Sequence, residues 1–216
     1  MRFDAGNWEI GNLDDVCPSC GCALAKRPGR KAKCPACRKP IYVRTRPLDR
    51  QRVLLKEEDV AILERQWDLE GRSLRLPDGA NMDALVEELA EHASNGRWGS
   101  HRNARMHVAA VHESEFRWQD GFRGILAVCY LDANGPQNRG AAPFVPQDSP
   151  TFAPALLERL AHYVDWFALS EEDVHEEFLA GARALWDEIA PPVPPERYWP
   201  PLWQALVDLR TSASAR

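Results

Sequence analysis

Two Cys-x-x-Cys pairs, Cys17-Pro-Ser-Cys20 and Cys34-Pro-Ala-Cys37, stand thirteen residues apart. Thiols separated by two intervening residues can grip one metal from a single turn, and two such pairs complete a tetrahedral zinc site. With four sulfurs around the ion no position is left for water or substrate. The spacing therefore predicts one structural Zn2+ held by Cys17, Cys20, Cys34 and Cys37. Proline after the first Cys of each pair fixes φ and removes a donor, while amides beyond the second Cys can turn toward the sulfurs. Gly21 follows Cys20 and tolerates the positive φ that this turn often needs. Arg38 follows Cys37, so the second turn either avoids that conformation or carries strain. Cys22 lies two residues past Cys20 and could compete for the same ion, although a Cys-x-Cys bite is less usual in this arrangement. The rival chemistry is a redox dithiol, but that motif is a single pair in a βαβ pattern, which this region lacks.

With CPSCG, CPAC and KPIYVRT in that order, the stretch from Cys17 to Val43 resembles a zinc ribbon. The resemblance implies a small three-stranded β fold built on two metal-binding turns. Ile41, Tyr42, Val43 and Thr45 supply the β-branched and aromatic residues of the strand after the second turn. The segment from Lys33 to Val60 is also similar to zinc-ribbon proteins of bacteriophage and prophage type, whose roles are mostly unassigned. These likenesses cover about the first quarter of the chain, and the ligand spacing specifies a metal rather than an activity.

Charge is divided unevenly along the chain. Between Cys17 and Arg52 stand Lys26, Arg27, Arg30, Lys31, Lys33, Arg38, Lys39, Arg44, Arg46, Arg50 and Arg52 against one acid, Asp49. The remainder is acidic enough to bring the whole chain to a net charge of −5. A segment this basic would hold a positive field beside phosphates, releasing counterions as it binds. Lys26, Arg27, Arg30, Lys31, Lys33, Arg38, Lys39, Arg44 and Arg46 are accordingly the candidate nucleic-acid contacts. Two plainer uses compete. Zinc with four thiolates carries a formal charge of about −2, which two or three basic residues would balance. The basic segment could also dock on acidic protein surface. Tyr42 could stack on a base, but as a lone aromatic it is better placed in the small core.

The 216 residues are 44% hydrophobic and 27% charged, an ordinary globular balance for one domain or two. No apolar run approaches bilayer length, and the acidic, broken N-terminus does not read as a signal peptide. The expected compartment is the cytoplasm, the host's if the protein is phage-encoded. With four cysteines given to metal, Cys22 and Cys129 do not suggest a disulfide framework.

Beyond the basic segment the sequence reads as helical. Val60, Leu63 and Trp67 share a face over 57–69. Met82, Leu85, Val86 and Leu89 do so over 82–93, with Asn81 as cap and Asn95-Gly96 as stop. Over 115–131, Trp118, Phe122, Ile125, Leu126 and Cys129 recur with Gly121 and Gly124 between them, the mark of a buried helix that another element approaches closely. Leu156, Leu160, Val164 and Phe167 predict a helix over 155–168. Ser170 with Asp173 opens the next, whose stripe runs Val174, Phe178, Ala182, Leu185 and Ile189 before Pro191, Pro192, Pro194 and Pro195 stop it. Trp199, Leu202, Trp203, Leu206 and Leu209 predict a short closing helix, with 211–216 as a flexible tail. A long loop is expected over 132–154.

His101, His107 and His112 fall on different helical faces, so their spacing does not predict a second metal site. No phosphate-binding glycine loop, nucleophile elbow or singled-out carboxylate pair is present. The expected organisation is α+β: a small zinc ribbon with an acidic lead over 1–52, then a mainly helical domain over 53–210. The expected function is non-enzymatic. The basic ribbon would meet nucleic acid and the acidic helical domain a protein partner, without a membrane. The alternative is a protein adaptor or assembly component whose ribbon docks on protein.

Overall fold

The computed structural model describes residues 3, 8–74, 81–134, 146, 148–191 and 193–214. They form two compact units, Phe3–Arg72 and Ser73–Arg216. The architecture is α+β, a three-stranded antiparallel sheet beside a cysteine cluster followed by mostly helical chain.

In the first unit, β1 (Ala32–Lys33), β2 (Pro40–Thr45) and β3 (Arg52–Leu55) pair in sequence order. Strand alternation sends side chains to two different faces. Ile41, Val43 and Leu54 pack with Cys17 and Cys34 on one. Tyr42, Val53 and Leu55 pack on the other with Ile10, Leu63, Val60 and Trp67, the last three from helix α1 (Glu57–Gly71). The sheet is thus covered by cysteines on one side and by a helix on the other. This is why the first unit ends after Arg72, whereas the sequence suggested a boundary at 52/53: β3 completes the sheet and the stripe on α1 covers it. Trp67 strengthens that closure by donating from Nε1 to the Thr45 carbonyl at 2.7 Å.

The free edge of β3 is occupied by the acidic lead. Asn12 and Leu54 exchange both backbone hydrogen bonds at 2.9 Å, so unpaired edge groups are not left open. Gly11 precedes them at φ +90°, and a Cβ there would meet Leu55 Cδ2 at 2.7 Å and Val53 Cβ at 2.8 Å. Only glycine lets the lead lie so close to β3.

The second unit contains α2 (Met82–Ser94), α3 (Trp98–Ser114), α4 (Trp118–Ala133), α5 (Pro154–Trp166), α6 (Glu171–Ile189) and α7 (Pro195–Ser214). Helix α4 is central: every residue from Ile125 to Leu131 is buried, and α3, α5, α6 and α7 all touch it. Gly124 admits Ala109 of α3, since a Cβ would lie 3.0 Å from that side chain. Gly181 of α6 likewise admits the Arg123 carbonyl, at 2.8 Å from its would-be Cβ. Asn81 caps α2 by accepting from the Ala84 amide at 2.8 Å. Ser170 and Asp173 form the reciprocal capping box of α6.

Helix α7 is longer than the short segment expected, starting at Pro195, carrying Pro200 and Pro201 internally and continuing to Ser214. Leu202 and Leu206, both fully buried, supply packing that outweighs the two missing amide donors. Much of the 132–154 loop lies outside the described residues, and Asp132 and Ala133 belong to α4. The expected tail at 211–216 is helical as far as Ser214, with 215–216 outside the described residues.

Buried polar groups tie these helices in pairs. Glu113 of α3 accepts at Oε1 from Arg159 Nη2 (2.6 Å) and from the Tyr163 hydroxyl (2.5 Å), both on α5. Its Oε2 accepts from the Leu74 amide at 2.5 Å. Glu177 of α6 receives Gln119 and Arg123 of α4 at 2.6 and 2.9 Å. His101 is fully buried on α3 and meets Glu188 Oε1 of α6 at 3.2 Å, with Arg105 on the other oxygen.

Burial, reinforced by the Arg105 charge, holds the His101 imidazole below its ordinary pKa against the pull of Glu188. His112 is held down too, again chiefly by burial. The unfolded chain therefore takes up protons below about pH 6.5 that the folded chain resists, so stability falls as pH drops through that value. Thermal midpoints should be flat above pH 7 and decline from about 6.5 toward 5, before ordinary carboxylates titrate. His101→Leu should reduce that slope. An unchanged slope in the variant would assign the decline elsewhere.

Candidate metal centre

Each Cys-x-x-Cys pair sits in a turn with the same backbone bonds. In the first, the Cys17 amide donates to the Cys22 carbonyl at 2.9 Å and the Gly21 amide to the Cys17 carbonyl at 2.8 Å. In the second, the Cys34 amide donates to the Lys39 carbonyl and the Arg38 amide to the Cys34 carbonyl, both at 2.9 Å. Gly21 has φ +71° and Arg38 φ +61°. The second turn thus adopts the left-handed conformation without glycine, at a strain of about 1–2 kcal/mol. Pro18 and Pro35 occupy the position after the first Cys of each turn, where no backbone donor is required.

These turns bring five sulfurs together. Cys17, Cys20, Cys22 and Cys34 have sulfurs mutually within 4.8 Å, and Cys37 joins at 3.8 Å from Cys17. Cys20 and Cys34 are also 3.8 Å apart, while Cys22 and Cys34 are 3.3 Å apart. Sulfurs set about 2.3 Å from zinc at the corners of a tetrahedron are separated by about 3.8 Å. The pairs Cys17–Cys37 and Cys20–Cys34 therefore match opposite edges of such a tetrahedron. The cluster can hold a metal ion, and its donors and spacing fit zinc. Cys22 lies 3.3 Å from Cys34, somewhat inside the ideal edge, and the five sulfurs together include one more than a tetrahedral ion needs.

Amides address the sulfurs as well. Ser19 N lies 3.4 Å from Cys17 Sγ. At Cys34, the hydrogen bond from the Cys37 amide is the largest influence and, aided by Cys22 and the Ala36 amide, brings the thiol down to about 6 against the opposing effect of burial. The Lys39 amide acts in the same sense on Cys37, but burial and the neighbouring thiols outweigh it and push that group up to about 11. The Cys34 thiolate is thus favoured at neutral pH while Cys37 keeps its proton, so binding a metal through both must release a proton. Cys17 and Cys34 are each 1% exposed and packed with Ile41, Val43 and Leu54, which ties any metal there to the sheet's core.

The basic residues divide in two. Arg27 donates to the Leu13 and Arg52 carbonyls, each at 2.6 Å, and to Asp15 at 2.9 Å. Arg46 is 6% exposed, holds Asp49 at 2.6 and 2.8 Å and donates to the Glu9 carbonyl at 2.9 Å. Its hydrogen bonds draw the Asp49 carboxyl down to about 2. Both arginines, expected at a nucleic-acid surface, instead fasten the first unit internally. Lys26, Arg30, Lys31, Lys33, Arg38, Lys39 and Arg44 are exposed. Lys31 and Arg44 flank Tyr42 at 4.3 and 6.0 Å from its ring centre, and the Tyr42 hydroxyl accepts from Lys31 and donates to Glu57. Tyr42 is 9% exposed, a core residue rather than a stacking platform.

Cys129 is fully buried on α4, far above its usual pKa because of burial, and is not a reactive thiol. Among the described residues no helix is long and apolar enough to cross a membrane. No protein-family model matches the chain, nor does any curated protein or solved structure.

Proposed function

We propose that this chain is a non-enzymatic binding protein whose first unit, built on one structural zinc, contacts the nucleic-acid backbone. The observation that carries the proposal is the exposure of seven of the nine candidate basic residues: Lys26, Arg30, Lys31, Lys33, Arg38, Lys39 and Arg44. Charge balance for a four-thiolate zinc needs only two or three of them. The rest supply a positive surface suited to phosphates without base readout. The acidic helical unit is assigned to a protein partner. The likeness of the first quarter to phage and prophage zinc ribbons supports an accessory role in a host cytoplasm, where reduced thiols remain available to metal.

A salt titration tests this reading. Binding to unrelated duplexes should weaken steeply as salt rises from about 50 to 200 mM, with a log–log slope near −0.9 per phosphate contacted. The triple variant Arg30→Glu, Lys33→Glu, Lys39→Glu should weaken binding at least about tenfold across all sequences and flatten that slope by about one per lost contact. Absence of binding at about 50 mM salt would sink the proposal. Affinity unchanged by the triple variant would remove these residues from the interface.

A further inference from the structure

The cluster has more sulfurs than a tetrahedral ion needs, and the surplus is placed by the backbone rather than by chance approach. The Cys22 carbonyl receives the Cys17 amide at 2.9 Å, the bond that closes the first turn. Cys22 is therefore held at the base of that turn, with its sulfur 3.3 Å from Cys34. Cys17, Cys20, Cys22 and Cys34 form a mutually close quartet without Cys37, and Cys37 completes a tetrahedral edge with Cys17 without Cys22. Cys17 and Cys34 are buried in the core, whereas Cys22 and Cys37 are both half-buried and pack at the same cluster's margin. Three ligands are common to the two sets and one position has two claimants.

We propose that Cys22 is an alternate zinc ligand, so that the first unit binds one ion through Cys17, Cys20 and Cys34 with either Cys37 or Cys22 as the fourth thiolate. This rests on the zinc reading above and adds a particular exchange within it. A tethered thiol a few ångströms from the ion acts at a very high local concentration, and it replaces a departing ligand without help from solution. The exchange conserves charge. One thiolate binds as the other leaves, and the departing sulfur takes up the proton released by the incoming one.

The test is zinc and cobalt binding to the full chain under reducing conditions, with competing chelator to read affinity. Cobalt reports the number of thiolates through its sulfur-to-metal charge-transfer absorption. Wild type should bind one equivalent with a four-thiolate spectrum. Cys37→Ser and Cys22→Ser should each keep that spectrum and lose less than about tenfold in affinity, below the range seen even for indirect metal-site partners. The double variant and Cys34→Ser should lose more than about 100-fold. Cys129→Ser serves as the unaffected control.

A Cys37→Ser chain that loses metal as completely as Cys34→Ser while wild type binds one equivalent would overturn the alternate-ligand proposal alone. A three-thiolate spectrum for Cys37→Ser would do the same and is readable even if overall affinity survives. A wild-type chain that binds no zinc and no cobalt would overturn the zinc reading itself.

Discussion

Stripping zinc from the chain is expected to unfold the first unit while the helices of the second remain folded. Cys17 and Cys34 are core residues of the sheet, packed with Ile41, Val43 and Leu54, so an ion held there would join the two turns through that sheet's interior. The opposite face has its own apolar residues with α1, but five buried side chains make a small core for a unit of this size. Structural zinc contributes on the order of 10 kcal/mol to folding in small domains, comparable to the whole stability of many of them. Hydrogen exchange before and after chelation reads the result. Amides of β2 and β3 should lose protection by several orders of magnitude, and those of α4, buried on all sides, should keep theirs. Cys34→Ser should reproduce the chelated pattern, since it removes a ligand common to both proposed sets. Strands that stay protected without metal would show that the sheet and α1 suffice.

The second large effect belongs to Glu113. Removing its carboxylate as Glu113→Leu takes from buried Arg159 the carboxylate it meets at 2.6 Å, from the Tyr163 hydroxyl its 2.5 Å acceptor and from the Leu74 amide the oxygen it donates to. Breaking one side of a buried pair costs about 3–5 kcal/mol. In a chain of this size that corresponds to a fall in thermal midpoint of about 10 °C. Urea denaturation should show a lower midpoint at unchanged slope. The double variant Glu113→Leu, Arg159→Met should recover much of the loss, because it removes both charges of the buried pair instead of one. A single-variant loss below about 1 kcal/mol would mean that water reaches Arg159 once the carboxylate is gone.

The sequence revealed what is local. Asn81 and Ser170 with Asp173 were readable as caps because each bonds a backbone amide three residues away. Gly121 and Gly124 were readable as points of close approach because a missing Cβ is itself a signal, and Glu113, Tyr163 and Ala109 fill the space. Partners distant in sequence were not readable. A count of Lys and Arg cannot distinguish Arg27, turned onto carbonyls fourteen to twenty-five residues away, from Lys26 in solvent beside it. Glu113 and Arg159 are 46 residues apart, and nothing at either position announces the other. The apolar stripe of α1 predicted a helix with a buried face but could not say that the face would lie on β2 and β3. That cysteines would cluster and could hold a metal was legible from spacing alone. The standing of Cys22 needed the geometry, because a Cys-x-Cys step does not say where its sulfur points.

The hairpin joining β2 to β3 repeats the turn of both cysteine pairs without a sulfur. The Arg46 amide donates to the Gln51 carbonyl at 3.0 Å, the Arg50 amide to the Arg46 carbonyl at 3.1 Å, and Arg50 has φ +60°. An Arg46–Asp49 pair stands inside the turn where the other two place thiols. The shape is therefore a solution of the backbone alone, and metal is not required to mould it. Contacts this local form within microseconds, long before a loop of thirteen residues and two strands have settled against each other. During folding, zinc would meet two claws already bent to receive it. The slow step would be their encounter, and a chain caught before that encounter would carry its ion on one claw, open to capture by any other thiol in solution.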